Sequence, residues 1–99
     1  MAKNTNLTWY RGAALIFTVS PTIDGTPETT GHVLYLSSDG RIPLDERVDA
    51  TEYVTVSGDD LRVELPASLR GEHRWWRMDV APGGQTTTVA YGRLNLRDV

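Results

Sequence analysis

The sequence contains no cysteine and only one lysine, Lys3. Without cysteine, neither a disulfide nor a thiolate-bound metal can stabilise the fold. Thirteen acidic residues outnumber the ten basic ones, nine of which are arginines, and the net charge is −3. This balance argues against a nucleic-acid-binding protein, whose affinity depends on neutralising phosphates. We therefore expect no nucleic-acid partner.

Long hydrophobic runs are also absent. The longest, AALIF at residues 13–17, is far shorter than a membrane span, so no membrane partner is expected. The first residues, MAKNTN, are polar and lack the apolar segment of a secretory signal. The 99 residues suffice for one domain with a single core. We expect residues 1–6 to form an extended N-terminal arm, disordered in an isolated domain, and residues 7–99 to form the domain.

Helical patterns are nearly absent, whereas threonine and valine are frequent between Gly, Asp and Pro punctuation. This composition predicts strands and turns. We expect seven to eight strands, at residues 7–11, 14–20, 32–37, 53–56, 61–65, 73–80, 85–91 and 93–99. The strand at 61–65 is indicated by the alternation of Leu61, Val63 and Leu65 with charged residues. Residues 21–31 are expected to form a loop, with Asp24-Gly25 as its turn signal. Residues 41–51 fit either a short edge strand or an irregular crossover, because Pro43 disfavours a central strand. The spacing of turn signals favours an all-β antiparallel sandwich, with a small closed barrel as the competitor.

Recognisable catalytic chemistry is missing. Ser68, His73 and Asp79 could be named as a triad, but His73 and Asp79 lie six residues apart on one predicted strand, about 20 Å. We therefore expect no enzyme activity. The acidic pairs Asp45-Glu46 and Asp59-Asp60 lack the ligand spacing of a calcium loop and are interpreted as solvated turns. No metal or cofactor is expected.

Two adjacent tryptophans occur in the stretch HRWWRMDV, residues 73–80. Successive side chains of a strand point to opposite faces, so Trp75 and Trp76 cannot share one core. The apolar face carries Arg74, Trp76, Met78 and Val80, and the polar face carries His73, Trp75, Arg77 and Asp79. This alternation predicts that Trp76 is buried and that Trp75 lies on the outer surface. It also splits the bases and aromatics of residues 74–77 between two faces, which disfavours a nucleic-acid-binding patch.

Trp75 has three interpretations. It lies flat on the outer sheet beneath Arg77 and a threonine, it anchors a protein interface, where Trp and Arg are enriched, or it is a platform for a sugar. The candidate interface residues are Trp75, Arg77 and His73 of the polar face, with Lys3 and Asn4 of the N-terminal arm. His32, which follows a turn glycine, is expected to form a hydrogen bond at a strand edge.

Several segments together resemble a family of small immunoglobulin-like proteins of tailed bacteriophages. The family is best described by the N-terminal module of phage upper baseplate proteins. The similar segments are LTWYRGAALIFTVS at 7–20, DGTPETTG at 24–31, LRGEHRWWRMDV at 69–80 and GRLNLRDV at 92–99. Ala13 stands where the family often has aspartate.

The resemblance implies an immunoglobulin-like β-sandwich with a structural role in the virion, made in the cytoplasm of the bacterial host. The module would bind other virion proteins of the tail, baseplate or capsid, or further copies of itself in a symmetric assembly. Decoration of the capsid is one alternative. A glycan-binding module that contacts the host surface through Trp75 is the other.

Overall fold

The computed structural model of the chain describes residues 2–38 and 47–98, and in these ranges the backbone forms β-strands and 3₁₀ turns without an α-helix. The strands are β1 (Lys3–Asn4), β2 (Leu7–Tyr10), β3 (Leu15–Val19), β4 (Thr22–Ile23), β5 (Thr26–Pro27), β6 (Val33–Ser37), β7 (Arg47–Asp49), β8 (Val54–Ser57), β9 (Asp60–Leu65), β10 (Trp75–Val80) and β11 (Thr87–Arg97). The 3₁₀ turns are Thr51–Tyr53, Ala67–Leu69 and Pro82–Gly84. Within these ranges, then, the chain has no helix that could span a membrane.

The strands form two main sheets that face each other. The larger sheet has the order β1-β11-β10-β6-β7, and β2 also pairs with β11. The smaller sheet has the order β3-β9-β8, and β4 and β5 form a separate hairpin. No pairing among the described strands joins the two main sheets, so the predicted antiparallel sandwich is confirmed and the closed barrel is wrong.

Most strand positions match the sequence prediction, with two corrections. Residues 85–91 and 93–99 were expected to form two strands, but β11 runs continuously from Thr87 to Arg97 through Gly92. The expected loop over residues 21–31 contains the β4–β5 hairpin, whose turn residues Asp24 and Gly25 both have left-handed backbone conformations, with φ of 52° and 80°. The ambiguous segment at 41–51 ends in the edge strand β7, whereas Pro43 and the pair Asp45-Glu46 lie outside the described residues.

The core lies between the two sheets and follows the alternation of the strands. Leu61, Val63 and Leu65 of β9 point inwards from the smaller sheet and are fully buried. Trp76 points inwards from the larger sheet, is only 2% exposed, and packs against Phe17 with their ring centroids 5.1 Å apart. Burying a side chain of this size stabilises the fold by about 2–3 kcal/mol or more, and the predicted burial of Trp76 is confirmed.

The N-terminal arm is held by the protein's own sheet. Lys3 and Asn4 pair in parallel with Ala90 and Tyr91 of β11, and the amide of Thr5 donates to the carbonyl of Tyr91 at 2.9 Å. The expectation of disorder in an isolated domain is therefore wrong for residues 3–5, because backbone hydrogen bonds pair them with β11.

Candidate interaction surface

The outward-pointing side chains of the larger sheet form a layer of alternating aromatic rings and guanidinium groups. Cross-strand pairing sets the order: Trp75 lies between Arg93 and Ser37, and Arg77 lies between Tyr91 and Tyr35. We call this surface the arginine–aromatic face and define it by Tyr35, Arg47, Trp75, Arg77, Tyr91 and Arg93. All six point away from the core. Side chains alternate between the two sides of a strand, and each of the six is paired across the sheet with another residue on the outer side.

Two arginines flank the ring of Tyr35. The guanidinium carbon of Arg47, from the edge strand β7, lies 4.6 Å from the ring centroid, and that of Arg77, from β10, lies 5.2 Å away. Both distances are within the range of cation–π attraction, which contributes about 0.5–1 kcal/mol at exposed sites and more where water is excluded. Tyr35 therefore fixes the positions of both arginines.

Trp75 lies partly buried beneath Arg93, whose guanidinium carbon is 4.9 Å from the indole ring. The prediction that Trp75 lies on the outer surface is confirmed. One of the three interpretations placed Trp75 beneath Arg77 and a threonine, but the side chain over the ring is that of Arg93. The two residues directly opposite each other on β10 and β11 are Trp75 and Arg93, and side chains paired in this way are closer than residues two positions apart on one strand.

Arg77 is engaged within the protein. Its Nη2 lies 3.2 Å from Oδ2 of Asp79, and the other carboxylate oxygen of Asp79 accepts a hydrogen bond from the Thr88 hydroxyl at 2.8 Å. Although Asp79 belongs to the outward-pointing set of β10, it is only 4% exposed. A β-bulge shifts the β10–β11 register between Met78 and Asp79. The buried carboxylate of Asp79 thus holds the Arg77 side chain in place on the arginine–aromatic face.

The other candidate interface residues occupy different places. Asn4 is exposed and pairs with Tyr91, on the edge of the arginine–aromatic face. Lys3 pairs with Ala90 and belongs to the opposite side of the sheet, where it lines a narrow opening beside Phe17 and Trp76.

His73 precedes β10 and is partly buried, and burial lowers the pKa of its imidazole. The structure therefore places Trp75, Arg77 and Asn4 on one side of the sheet, Lys3 on the other, and His73 in the turn before the sheet.

Four members of the face were not predicted as interface residues: Tyr35, Arg47, Tyr91 and Arg93. The alternation of Tyr91 and Arg93 was visible in the stretch AYGRLNLR at residues 90–97, and Tyr35 alternates with leucines in VLYLS at residues 33–37, whereas Arg47 lies in neither stretch. That signal indicates which residues share a face of one strand. It does not indicate which strands are neighbours.

Two of the carboxylates considered for chemistry have structural partners. Asp79 bonds to Arg77 and Thr88, and Asp60 accepts a hydrogen bond from the Ser20 hydroxyl at 2.7 Å. The ring of His32 lies 3.3 Å from the carbonyl of Thr29, as expected for a local hydrogen bond at the start of β6. Across residues 2–38 and 47–98, no three His, Asp or Glu side chains are grouped to hold a metal ion.

No protein-family model matches the sequence, and no curated protein matches it either. Among solved structures, the chain is similar to the extracellular fragment of novel immune-type receptor 10 from Ictalurus punctatus. The two share 13% sequence identity with a TM-score of 0.50, over 96% of this chain and 97% of that one. At this identity the likeness concerns the fold alone. This chain has β6, β10 and β11 in one sheet and β3 and β9 in the other, which is the two-sheet division of immunoglobulin-type domains. Domains of this type are usually non-catalytic. The chain has an immunoglobulin-like antiparallel β-sandwich fold.

Proposed function

We propose that this protein is a non-enzymatic structural component of a tailed-bacteriophage virion, and that it attaches to other virion proteins through the arginine–aromatic face. The phage setting rests on the resemblance of four sequence segments to the immunoglobulin-like modules of phage baseplate proteins. The docking role rests on the composition of the face. Tyr, Trp and Arg are the residues most enriched where protein interfaces contribute most of their binding energy.

The observation that carries the docking role is the stacking of guanidinium groups on aromatic rings. Arg93 covers Trp75, and Arg47 and Arg77 flank Tyr35, at ring distances of 4.6 to 5.2 Å. Long side chains held in this way have already lost rotamer freedom. Binding a partner then costs less entropy than it would with mobile arginines, roughly 0.5–1.5 kcal/mol less per side chain.

The attachment point within the virion is the tail tip or baseplate, as the family resemblance suggests, or the capsid surface. A small β-sandwich domain suits either place. Repeated display on a symmetric shell would let individually weak contacts sum to stable attachment.

The glycan-binding alternative is less well supported. A sugar that stacks on Trp75 needs an open indole face, and the guanidinium group of Arg93 lies over that ring at 4.9 Å. Stacking would require the sugar to displace Arg93. A partner protein can instead use the arginine and the ring together.

The experiment uses phage that lack this gene, propagated in a host that supplies the wild-type or a variant protein. The number of copies per purified particle is measured by quantitative mass spectrometry. We expect Trp75→Ala with Tyr91→Ala to lower the copy number at least tenfold, since loss of one interface hot spot costs about 2 kcal/mol or more. The matched control is Ile16→Ala, because Ile16 is 51% exposed on the outer side of the smaller sheet.

Absence of the wild-type polypeptide from purified particles would disprove the virion role. Full occupancy by the double variant would disprove the docking face. Saturable binding of host-wall sugars, abolished by Trp75→Ala while occupancy stays normal, would favour the glycan-binding alternative.

A further inference from the structure

A shallow depression borders the arginine–aromatic face where β11 approaches its end. It has a volume of about 290 Å³ and is lined by Arg74, Trp75, Arg93, Leu94, Asn95, Leu96 and Arg97. We call it the arginine depression. We infer that it binds carboxylate side chains, so that the segment of the partner that docks here is acidic. This inference rests on the proposed docking function and adds the chemistry of the partner.

The strand geometry brings the cationic groups to one place. Arg93, Asn95 and Arg97 occupy alternate positions of β11, so their side chains leave the same face about 7 Å apart. Arg74 joins them from the residue before β10, where its backbone is fixed on both sides. Its amide donates to the carbonyl of Ser37 at 2.8 Å, and its carbonyl accepts from the amide of Leu94 at 2.7 Å.

The three guanidinium groups of the depression have no carboxylate partner among the described residues. The two ion pairs of residues 2–38 and 47–98 belong to other arginines, Arg77 with Asp79 and Arg70 with Asp98. Arg93 is oriented by its stacking on Trp75, which leaves the edge of its guanidinium group available for hydrogen bonds. Like charges gathered without a counter-ion repel one another, and a bound anion relieves this repulsion.

Charge distribution favours a carboxylate partner over a nucleic acid. The whole chain has a net charge of −3, although five of its nine arginines belong to the arginine–aromatic face or the arginine depression. A long polyanion would extend beyond these five residues onto an acidic surface and be repelled there. A short acidic segment would remain within the basic region, and planar guanidinium groups match the two oxygens of a carboxylate.

The spacing of the arginines also suggests the form of the segment. In an extended peptide, residues i and i+2 lie about 7 Å apart on one side, which is the spacing of the outward side chains along β11. Arg93 and Arg97 lie two such steps apart, about 14 Å, with Asn95 between them. The first and third acidic residues of an alternating extended segment therefore face the two arginines.

The test is a titration of the ¹⁵N-labelled protein with the peptide Ac-Glu-Thr-Glu-Thr-Glu-NH₂, followed by NMR. The reference peptide carries glutamine in place of each glutamate. We expect saturable shifts at the Trp75 indole and the amides of residues 93–97 with the acidic peptide alone. Raising the salt concentration from about 20 to about 300 mM should weaken its affinity several-fold, because exposed charges are screened.

The variants Arg93→Gln and Arg97→Gln should each weaken this binding about fivefold or more, since each loses a charge-assisted hydrogen bond. Arg93→Lys should retain part of the affinity, because it keeps the charge and loses the planar fork. The control Arg62→Gln, on the outer side of the smaller sheet, should bind as the wild type does. A thermal melt of each variant checks that it is folded.

Equal binding of the glutamine peptide, or shifts confined to other parts of the protein, would overturn the inference. Tighter binding of inorganic phosphate or of a thymidine oligonucleotide would also overturn it, in favour of a phosphate site. The titration involves no virion. A failed titration would therefore disprove the carboxylate site without affecting the proposed docking face. Absence of the protein from particles would disprove the virion role without affecting the titration.

Discussion

The indole nitrogen of Trp76 donates a hydrogen bond to the carbonyl oxygen of Thr5 at 3.0 Å. This bond joins the buried core to the N-terminal arm. The arm passes directly over Gly92 of β11, where a side chain would overlap the Thr5 carbonyl. At the next position, the amide of Arg93 donates to the side-chain oxygen of Asn6 at 3.1 Å. The Thr5 carbonyl points inwards to the Trp76 indole. The Asn6 side chain therefore accepts the hydrogen bond of the Arg93 amide in place of a backbone carbonyl.

Gly92→Ala should displace the arm from the sheet. The new Cβ would collide with the Thr5 carbonyl and lie 2.8 Å from Nε1 of Trp76. We expect the free energy of unfolding in urea to fall by about 1–3 kcal/mol, as for other overpacked sites. Hydrogen exchange at the Thr5 amide should accelerate. Thr87→Ala, at an exposed position of the same strand, is the control, and an unchanged Thr5 amide in Gly92→Ala would contradict the prediction.

Substitution of the two adjacent tryptophans should have very different effects on stability. Trp76→Ala removes a ring that is buried between the sheets and should cost about 3–5 kcal/mol. Trp75→Ala removes a partly buried ring from the outer face and should cost about 1 kcal/mol. Urea unfolding followed by circular dichroism measures both. Similar costs for the two variants would show that the assignment of faces is wrong.

Asp79→Asn should destabilise the protein although it preserves the shape of the side chain. It leaves the partly buried guanidinium group of Arg77 without its counter-charge, while Nε of Arg77 already lacks a hydrogen-bond partner. We expect the free energy of unfolding to fall by about 2–4 kcal/mol. This is less than for a fully buried ion pair, because Arg77 retains some contact with water. Asp59→Asn, in an exposed turn, is the control.

A double-mutant cycle identifies the cause of that loss. If the uncompensated charge is responsible, adding Arg77→Met to Asp79→Asn should recover part of the stability. Strictly additive losses would attribute the effect to packing instead.

Stability should decrease as the solution becomes mildly acidic. Burial lowers the pKa of His73 from its ordinary value of 6.5, so the folded protein resists protonation of this imidazole. Between the folded pKa and about 6.5 the unfolded chain binds more protons, and the free energy of unfolding therefore falls as the pH is lowered through this window. Below the folded pKa the loss levels off.

Comparison of the wild type with His73→Gln between pH 7.5 and about 5 measures this dependence, and the variant should show a smaller slope. Two carboxyl groups with lowered pKa values titrate below the pH range of this comparison. Hydrogen bonds from Thr30 lower the pKa of Glu28 from 4.5, and those from Thr51 lower the pKa of Asp49 from 3.8. Equal slopes for the two proteins would disprove the role of His73.

Much of the fold could be predicted from the sequence, because period-two alternation is a local property of the chain. It correctly separated Trp76 from Trp75, and it identified β9 from the alternation of Leu61, Val63 and Leu65. The turn signal Asp24-Gly25 was also correct, since a left-handed backbone is compatible with few residue types. Gly92 was misinterpreted as a strand break. It is a point of close approach, and only the path of the arm reveals that.

The candidate site could be predicted only in part. Period-two alternation indicated which side chains share a face of each strand, and therefore that Trp75 and Arg77 point outwards together. Strand order and register place Arg93 over Trp75, bring Arg47 and Arg77 together at Tyr35, and bury Asp79 beside Arg77. The physical reason is that alternation is set within one strand by the stereochemistry of the backbone. Contacts between strands depend on their order and register, which arise when residues distant in sequence pack together.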